Sequence, residues 1–256
     1  MERTPPPGGP AAVADWSRSD SYAVLLGCDR RAFAWEWMRR SPAYRRAWAQ
    51  GVGDPGEFGL VSFADPALAV AEARPMWASA IDPSVLDSIV AGHAATPGDG
   101  FDIRDLARFV SVDIGEDDNT EHWLLSNGRW VIRLAVHDGT LLGGPLLLEH
   151  HLRGMAAAEP KLHALRRLVA LSRHGRLPAG LRPKETRAPR WIMELQTADA
   201  MAAGANQQDI ARALFGHAIA GSRWRIENGS YRLRVQRLVR AARRNLRAPL
   251  SGPWFA

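Results

Sequence analysis

The sequence predicts an α+β protein with an N-terminal helical module, a mixed middle that contains an antiparallel β-meander, and a C-terminal helix-turn-helix bundle. Three observations predict this class: aromatic-rich helical segments follow residue 15, alternating apolar segments joined by Asn-Gly and Asp-Gly turns occupy residues 123–150, and amphipathic helical patterns fill the chain after Gly154. We divide the chain into a disordered lead (1–14), a helical module (15–50), an acidic mixed region (51–122) and a domain holding the meander and the variant helix-turn-helix (123–250).

Charge is distributed unevenly along the 256 residues. Residues 54–122 hold three Lys/Arg against fourteen Asp/Glu, a net charge of −11, whereas residues 123–256 hold twenty-two against eight, a net charge of +14. A strongly basic half favours a polyanionic partner. Nearly all the basic residues are arginines, which suit bidentate phosphate or guanine contacts. A GC-rich genome accounts for part of the arginine excess but not for its segregation.

The cysteine content and the N-terminus indicate a cellular compartment. Cys28 is the only cysteine, so no intrachain disulfide can form and a reducing cytoplasm is expected. The N-terminal residues lack the apolar segment of a signal peptide, and no run of about 18 apolar residues occurs. We therefore expect a soluble cytoplasmic protein without a membrane partner.

The helical module, residues 15–50, is predicted to form two or three short helices with a high density of aromatic residues. These side chains either form a small self-contained core or are kept for a partner, and we favour the core. The module also carries a predicted basic face formed by Arg39, Arg40, Arg45 and Arg46.

The acidic region shows short strand-like segments at residues 58–63, 76–81 and 109–114, and residues 82–92 carry the start and stop signals of a short helix. The neighbouring carboxylates of Glu116, Asp117 and Asp118 are of the type that binds hard cations. Their spacing fits no calcium loop, so we interpret them as a solvated turn.

The next segment predicts a three-stranded antiparallel meander. Asn127-Gly128 and Asp138-Gly139 are strong turn signals, and the alternation of apolar residues between them predicts one buried face. That face comprises Trp130, Ile132, Leu134 and Val136.

Few residues carry a signal for catalysis. Glu149, His150 and His151 are metal-ligating types, but successive side chains on a strand point to opposite faces and a third ligand is missing. Cys28 fits a small buried apolar side chain better than a nucleophile. The chain also lacks a phosphate loop, a dinucleotide fingerprint and a G-x-S-x-G motif. We therefore expect no enzyme, no cofactor and no metal.

The chain after Gly154 is predicted to be helical. Lys161 to His174 form one amphipathic helix, a basic loop follows at residues 176–190, and a second helix runs from Trp191 to Ala203. Asn206 and Asp209 form a capping-box-like start of a short helix that ends at Gly216. The connection from Gly216 to Gly229 is much longer than a standard helix-turn-helix turn.

The last helix, starting at Tyr231, separates apolar and basic residues onto two faces. The apolar face is Tyr231, Val235, Leu238, Ala242 and Leu246, and the other is Arg232, Gln236, Arg240, Arg243 and Arg247. Residues 223–247 contain nine arginines and a single acid, Glu227. Because a solvated surface normally mixes charges of both signs, we interpret this face as a nucleic-acid contact.

These patterns assign roles to individual residues. Gln236 is expected to read adenine if it contacts a base, and Gln207 and Gln208 lie where their amides and the helix N-terminus can hold a phosphate. The groove candidates are Arg232, Gln236, Arg240 and Arg243, the phosphate candidates are Arg234, Arg237, Arg244, Gln207 and Gln208, and the supporting core is Trp191, Ile210, Leu214, Val235 and Leu238.

Long stretches of the chain also carry a family resemblance. They are DWSRSDSYAVLLGCDRRAFAWEWMRRSPAYR, LAVHDGTLLGGPLLLEHHLRG, PKLHALRRLVALSRHGRLP, RAPRWIMELQTADAMAAGANQQDIARALFG and YRLRVQRLVRAARR. Together they resemble the regulators of proteobacterial integrative and conjugative elements typified by FseA and its antiactivator QseM. Residues 130–247 resemble the domain these proteins share, a variant helix-turn-helix, and the N-terminal part resembles the helical module that accompanies it.

The resemblance implies a function with two alternatives. Family members with both modules look like activators of excision and transfer genes, which favours an activator here. Short members act as antiactivators by binding an activator, so an adaptor that binds protein through the same basic domain is the alternative. The resemblance further implies that Gln207–Phe215 is the support helix and Tyr231–Arg244 the recognition helix. As partners we expect double-stranded DNA and RNA polymerase or an antiactivator protein, at the nucleoid in the cytoplasm.

Overall fold

The structure, a computed structural model, describes residues 15–93, 96, 98–115, 119–216 and 229–255. Helices lie at both ends of this chain and a five-stranded mixed sheet lies between them, which confirms the predicted α+β class. The predicted lead (1–14), the acidic residues Glu116, Asp117 and Asp118, and most of the long connection after Gly216 lie outside the described residues.

The N-terminal module consists of a 3-10 helix, Ser19–Gly27, followed by α1 (Arg30–Met38) and α2 (Pro42–Gln50), as predicted. Asp29 caps α1, because its side chain accepts a hydrogen bond from the backbone N–H of Ala32.

The aromatic residues of this module form a core together with distant parts of the chain. Phe33 packs against Trp191 of helix α5 (Ala188–Ala202) with ring centroids 5.0 Å apart, and Trp191 packs against Trp254 at 4.9 Å. Trp35 and Trp37 are fully buried in the same core. The core is therefore shared with the C-terminal helices, so the prediction of a self-contained core is wrong.

A buried network of ion pairs and hydrogen bonds links α1 to α5. Arg40 Nη1 lies 2.6 Å from Glu36 Oε2, and Arg40 Nε lies 2.7 Å from Asp199 Oδ1. The hydroxyl of Tyr22 donates to Asp199 Oδ2 at 2.6 Å. Burial in the absence of partners would be costly for these charges, and here each charge has a partner within hydrogen-bond distance.

The sheet is built from β1 (Leu86–His93), β2 (Val110–Ile114), β3 (Glu121–Ser126), β4 (Val131–Asp138) and β5 (Leu146–His151) in the order β2-β3-β4-β1-β5. β3 and β4 form the predicted hairpin, whose turn places Gly128 at a φ of 87°. β1 runs parallel to β4 and antiparallel to β5.

Two predictions about this region are wrong. Residues 82–92 were expected to be helical, yet most of them form β1. β4 and β5 were expected to be neighbours in a meander, yet β1 lies between them. The helix-start signal at Asp82 has another cause. Asp82 does not cap a helix, because it is fully buried and binds arginine side chains.

The earlier strand-like segments form little regular structure. Residues 58–63 and 76–81 contribute only an isolated bridge between Leu60 and Trp77. A 3-10 helix, Pro55–Phe58, and the one-turn helix α3 (Val70–Ala73) lie nearby. Three further 3-10 helices are Ile103–Phe109, Leu141–Gly143 and Ala179–Leu181, and a fourth is Pro249–Ser251.

Helix α4 (Met155–His174) begins six residues before its predicted start and ends at Gly175, which adopts the left-handed conformation with a φ of 61°. Its apolar face covers one side of the sheet, where Leu168 and Leu171 join the buried side chains of Ile132 and Leu134. The opposite side of β4 carries Arg133, which reaches Asp82.

Asp82 joins the sheet to the N-terminal module. Its carboxylate binds Arg31 of α1 with Nη2–Oδ1 at 2.9 Å, and Arg133 of β4 with Nη1–Oδ2 at 3.2 Å. Burial by itself raises the pKa of this carboxyl, but the two guanidinium charges outweigh burial, so the pKa of Asp82 lies below its ordinary value.

Asp82→Asn is expected to lower the free energy of unfolding at pH 7 by about 3 kcal/mol, because it leaves buried arginine charges without their counter-charge. The folded-state pKa of Asp82 is depressed, so its contribution is present above the unfolded pKa of about 4 and is lost as the pH falls through the folded value. In urea unfolding, the difference in the free energy of unfolding between variant and wild type should therefore be smaller at pH 3 than at pH 7. Asp20→Asn, at an exposed position, is the control. A difference in the free energy of unfolding that is equal at both pH values would contradict the charged state of Asp82 in the folded protein.

Candidate nucleic-acid interface

Helix α6 (Gln207–Phe215) begins with the predicted capping box. The side chain of Asn206 accepts hydrogen bonds from the backbone N–H groups of Gln208 (2.8 Å) and Asp209 (3.1 Å), and the Asp209 carboxylate accepts from the backbone N–H of Asn206 (3.2 Å). Gly216 ends the helix, also as predicted.

The last helix, α7 (Gly229–Arg247), packs on α5 and α6. Val235 and Val239 of α7 contact Ile210 and Ala211 of α6 in a small buried cluster. The predicted supporting core is largely confirmed: Trp191, Ile210, Val235 and Leu238 are buried, and Leu214 is half-buried against the cluster.

Helix α7 presents one buried and one basic face. Each residue of a helix is rotated by about 100° from the one before it, and viewed down the axis of α7 one group of polar residues covers an arc of about 140°, with Arg232 at one edge and Arg237 at the other. These residues are Arg232, Gln236, Arg237, Arg240, Arg243, Arg244 and Arg247, which we call the arginine face. All of them are exposed or half-buried, whereas Val235, Leu238 and Ala242 on the opposite side are buried.

Four arginines of the arginine face carry a positive charge that no carboxylate neutralises within the described residues. There, Arg237, Arg240, Arg243 and Arg247 form no salt bridge, although arginines elsewhere in the chain pair with Glu36, Asp82 and Asp199. A single-sign face of this kind attracts a polyanion, and each phosphate contact releases counterions.

Arg234 occupies a different position from the other arginines. Its guanidinium lies 5.2 Å from the ring centre of Phe215 and 5.9 Å from that of Tyr231, so cation–π contacts hold it over the junction of α6 and α7. It stays exposed there and could contact a phosphate beside the arginine face rather than within it.

Gln207 and Gln208 lie at the start of α6, where Gln207 is exposed and Gln208 is half-buried. The backbone amides of Gln208 and Asp209 already donate to Asn206, and a carboxylate stands in the same turn. The helix N-terminus therefore has fewer amides left for a phosphate than the sequence predicts, and the glutamine side chains stay the predicted phosphate contacts.

The four arginines of the N-terminal module do not form the predicted common basic face. Arg39 donates to the backbone carbonyls of Pro66 and Ala67, and Arg40 belongs to the buried ionic network. Arg45 and Arg46 of α2 are exposed. They line, together with Arg247 of α7, a cavity of about 510 Å³ between the module and the end of the arginine face.

The nearness of Arg45 and Arg46 to α7 is not encoded in the local sequence. Arg45 and Arg46 lie near α7 because the shared aromatic core and the network around Arg40 join α1 to α5, and Asp199 lies 159 residues after Arg40. A local pattern could not reveal that contact. The run of two exposed arginines on a short helix was the only available signal.

The residues considered for other chemistry have ordinary structural partners. His150 Nδ1 lies 2.8 Å from Ser88 Oγ, and His137 Nε2 lies 3.3 Å from Asp87 Oδ1. Cys28 is buried, and burial followed by the nearby charge of Asp29 raises its pKa to about 12, so the thiol stays protonated at neutral pH. In the described part of the chain, no group of three His, Cys, Asp or Glu side chains is placed to hold a metal ion.

Two regions of the chain match family models. Residues 15–74 match a model described as a proteobacterial transcriptional regulator-like domain, and residues 153–247 match one described as "T6SS, Transcription factor, DNA binding domain". The first contains α1, α2 and α3, and the second contains α4 to α7. No curated protein matches the chain. No solved structure matches it either.

These matches support a DNA-binding transcriptional regulator, and the arginine face lies within the second of them. Domains of these two kinds are typically non-enzymatic. Among the described residues, no helix is both long and apolar enough to cross a bilayer.

Proposed function

We propose that the chain reads double-stranded DNA through α7, as the recognition helix of a variant helix-turn-helix that α6 supports. The observation that carries the proposal is the arginine face, which opposes a buried apolar face on the same helix and includes four arginines, Arg237, Arg240, Arg243 and Arg247, that form no salt bridge with the described residues. A helix of 19 residues is about 28 Å long, enough to cross a major groove and both flanking backbones.

Within this proposal the residues divide by position. Arg232, Gln236, Arg240 and Arg243 lie together on the arginine face and are proposed to enter the groove. Arg237 and Arg244 lie at its margin and, with Arg234, Gln207 and Gln208, are proposed to hold phosphates. Arg247 lies on the same face as the groove group, at its C-terminal end.

The biological role proposed is that of an FseA/QseM-type regulator that activates excision and transfer genes of a mobile conjugative element. The presence of both an N-terminal regulator-like region and a DNA-binding region supports the activator role. RNA polymerase or an antiactivator is the protein partner in this proposal. The second candidate is an antiactivator or adaptor that binds an acidic protein surface through the same arginine face.

A titration with duplex DNA separates these candidates. The purified protein should bind duplexes from the promoters nearest its gene more tightly than duplexes of unrelated sequence, with an affinity that falls steeply as salt rises. A steep salt dependence without sequence preference would reduce the function to general nucleic-acid binding. Undetectable binding at low salt would favour the protein-binding candidate.

Arg45 and Arg46 are expected to add phosphate contacts at the C-terminal end of the arginine face. Reversing both charges (R45E together with R46E) should lower the slope of log affinity against log salt by about 1 to 2, because each lost phosphate contact removes about 0.9. The preference between DNA sequences should stay unchanged. The same double reversal at Arg166 and Arg173, which are exposed on α4, serves as the control. An unchanged slope would remove α2 from the interface.

A further inference from the structure

A second cavity, of about 540 Å³, opens where three parts of the chain meet. Its walls come from the start of α1, the start of β4, and α4 together with the loop that precedes α5. Small-molecule sites in proteins commonly have volumes of this order. The cavity therefore joins residues of both matched regions across the sheet, away from the arginine face.

Positive charge predominates in the lining. Five Lys/Arg side chains line the cavity against three Asp/Glu: Arg30, Arg31, Arg167, Arg182 and Lys184 against Asp29, Glu159 and Glu185. Two of the acids already have partners, since Asp29 caps α1 and Glu185 binds Arg30 at 3.0 Å. Arg31 is held by Asp82.

Arg167 is a half-buried cation of the lining that has no carboxylate partner among the described residues. Its Nε donates to the backbone carbonyl of Leu181 at 2.9 Å, and it forms no salt bridge with the described residues. Burial lowers the pKa of Arg167, the charge of Asp29 acts in the opposite direction, and Arg31 lowers the pKa further. A half-buried guanidinium of this kind has donors to spare for an oxyanion, which it can bind in bidentate fashion.

His163 lies one helical turn before Arg167 and lines the same cavity. Burial lowers the pKa of His163, and the charges of Arg167, Arg166 and Arg31 lower it further, while Glu159 raises it. The ring is therefore neutral at pH 7 and can donate one hydrogen bond to an anion. Lys184 is exposed on the loop across the cavity.

We propose that this cavity binds a small anionic ligand through a phosphate or carboxylate group, which Arg167 holds with help from His163 and Lys184. The ligand would supply the negative charge that the lining lacks. Since the lining combines α1 with the loop before α5, a bound ligand contacts both matched regions and stabilises their packing against each other. The chain is then a regulator that responds to an anionic metabolite, a property independent of how α7 contacts DNA.

The test uses the full chain with two probes, inorganic phosphate and citrate, added separately. The NMR signals of the His163 ring, assigned by comparison with H163Q, should shift saturably with one of the probes. The pKa of His163 should rise toward its ordinary value, because the bound anion offsets the surrounding cations. A response to phosphate alone assigns the phosphate class, and a response to citrate alone assigns the carboxylate class.

R167Q should weaken probe binding at least tenfold, and K184Q, at an exposed position where folding is not in question, should weaken it several-fold. R173Q, an exposed arginine of α4 outside the cavity, should leave binding unchanged. Absence of a saturable response to either probe overturns the proposal. Probe binding by R167Q and K184Q that is as tight as that of the wild type also overturns it. A His163 shift caused by duplex DNA but by neither probe would also overturn it and assign the cavity to the nucleic-acid interface.

Discussion

Arg240→Glu is expected to weaken binding of duplex DNA by about 100-fold at moderate salt. Arg240 lies near the middle of the arginine face and is exposed. The substitution removes the proposed groove contact, worth about 1–3 kcal/mol, and places a negative charge toward the DNA, and each 1.4 kcal/mol is about tenfold in affinity. Fluorescence anisotropy with a labelled duplex measures the change.

The fold should survive this substitution, because Arg240 has no salt bridge within the described residues and its side chain faces solvent. Circular dichroism and the thermal midpoint of R240E should match those of the wild type. Arg153→Glu, an exposed charge reversal just before α4, is the matched control and should bind DNA normally. Equal DNA affinity of R240E and R153E would remove α7 from the groove.

Trp191→Ala is expected to lower the free energy of unfolding by about 3–5 kcal/mol, the usual cost of truncating a large buried aromatic residue. Trp191 packs against Phe33 and Trp254 at once, so the cavity left behind lies between the N-terminal module and the C-terminal helices. Neighbouring side chains cannot fill that cavity without moving α1 relative to α5. Urea unfolding followed by circular dichroism measures the loss.

Trp48→Ala supplies the comparison for this substitution. Trp48 is only half-buried on α2 and lies outside the shared aromatic core, so its removal should cost much less than that of Trp191. Similar losses for the two variants would show that the shared core does not hold the module in place. A loss of DNA binding by W191A without a loss of stability would be equally inconsistent with its purely supporting position.

Features encoded by neighbouring residues could be predicted from the sequence. The capping box at Asn206 depends on residues within one turn, and the two faces of α7 follow from the helical period. β1 could not be recognised in this way. Its identity depends on pairing with β4, which begins 38 residues after β1 ends, and the local Asp-Pro-Ser signal indicated a helix instead.

The candidate site shows the same division. The exposed position of Arg240 and Arg243 follows from the pattern of apolar residues around them. The different roles of Arg40 and Arg45 do not, because both are arginines on short amphipathic segments. Tertiary contacts make the difference: Asp199 helps to hold Arg40 in the buried network, and the same packing of the module against α5 places Arg45 beside the cavity that Arg247 also lines.

The shared aromatic core has a consequence for any shorter version of this protein. Residues 153–247 alone would leave Trp191 and Ile192 in water, because the side chains that cover them include Phe33 and Trp254. Residues 15–74 alone would likewise lack the α5 side of their core. Neither matched region completes this core by itself, so a fragment that carries only one of them exposes an apolar surface that the whole chain buries, and we expect it to be less stable and more prone to self-association.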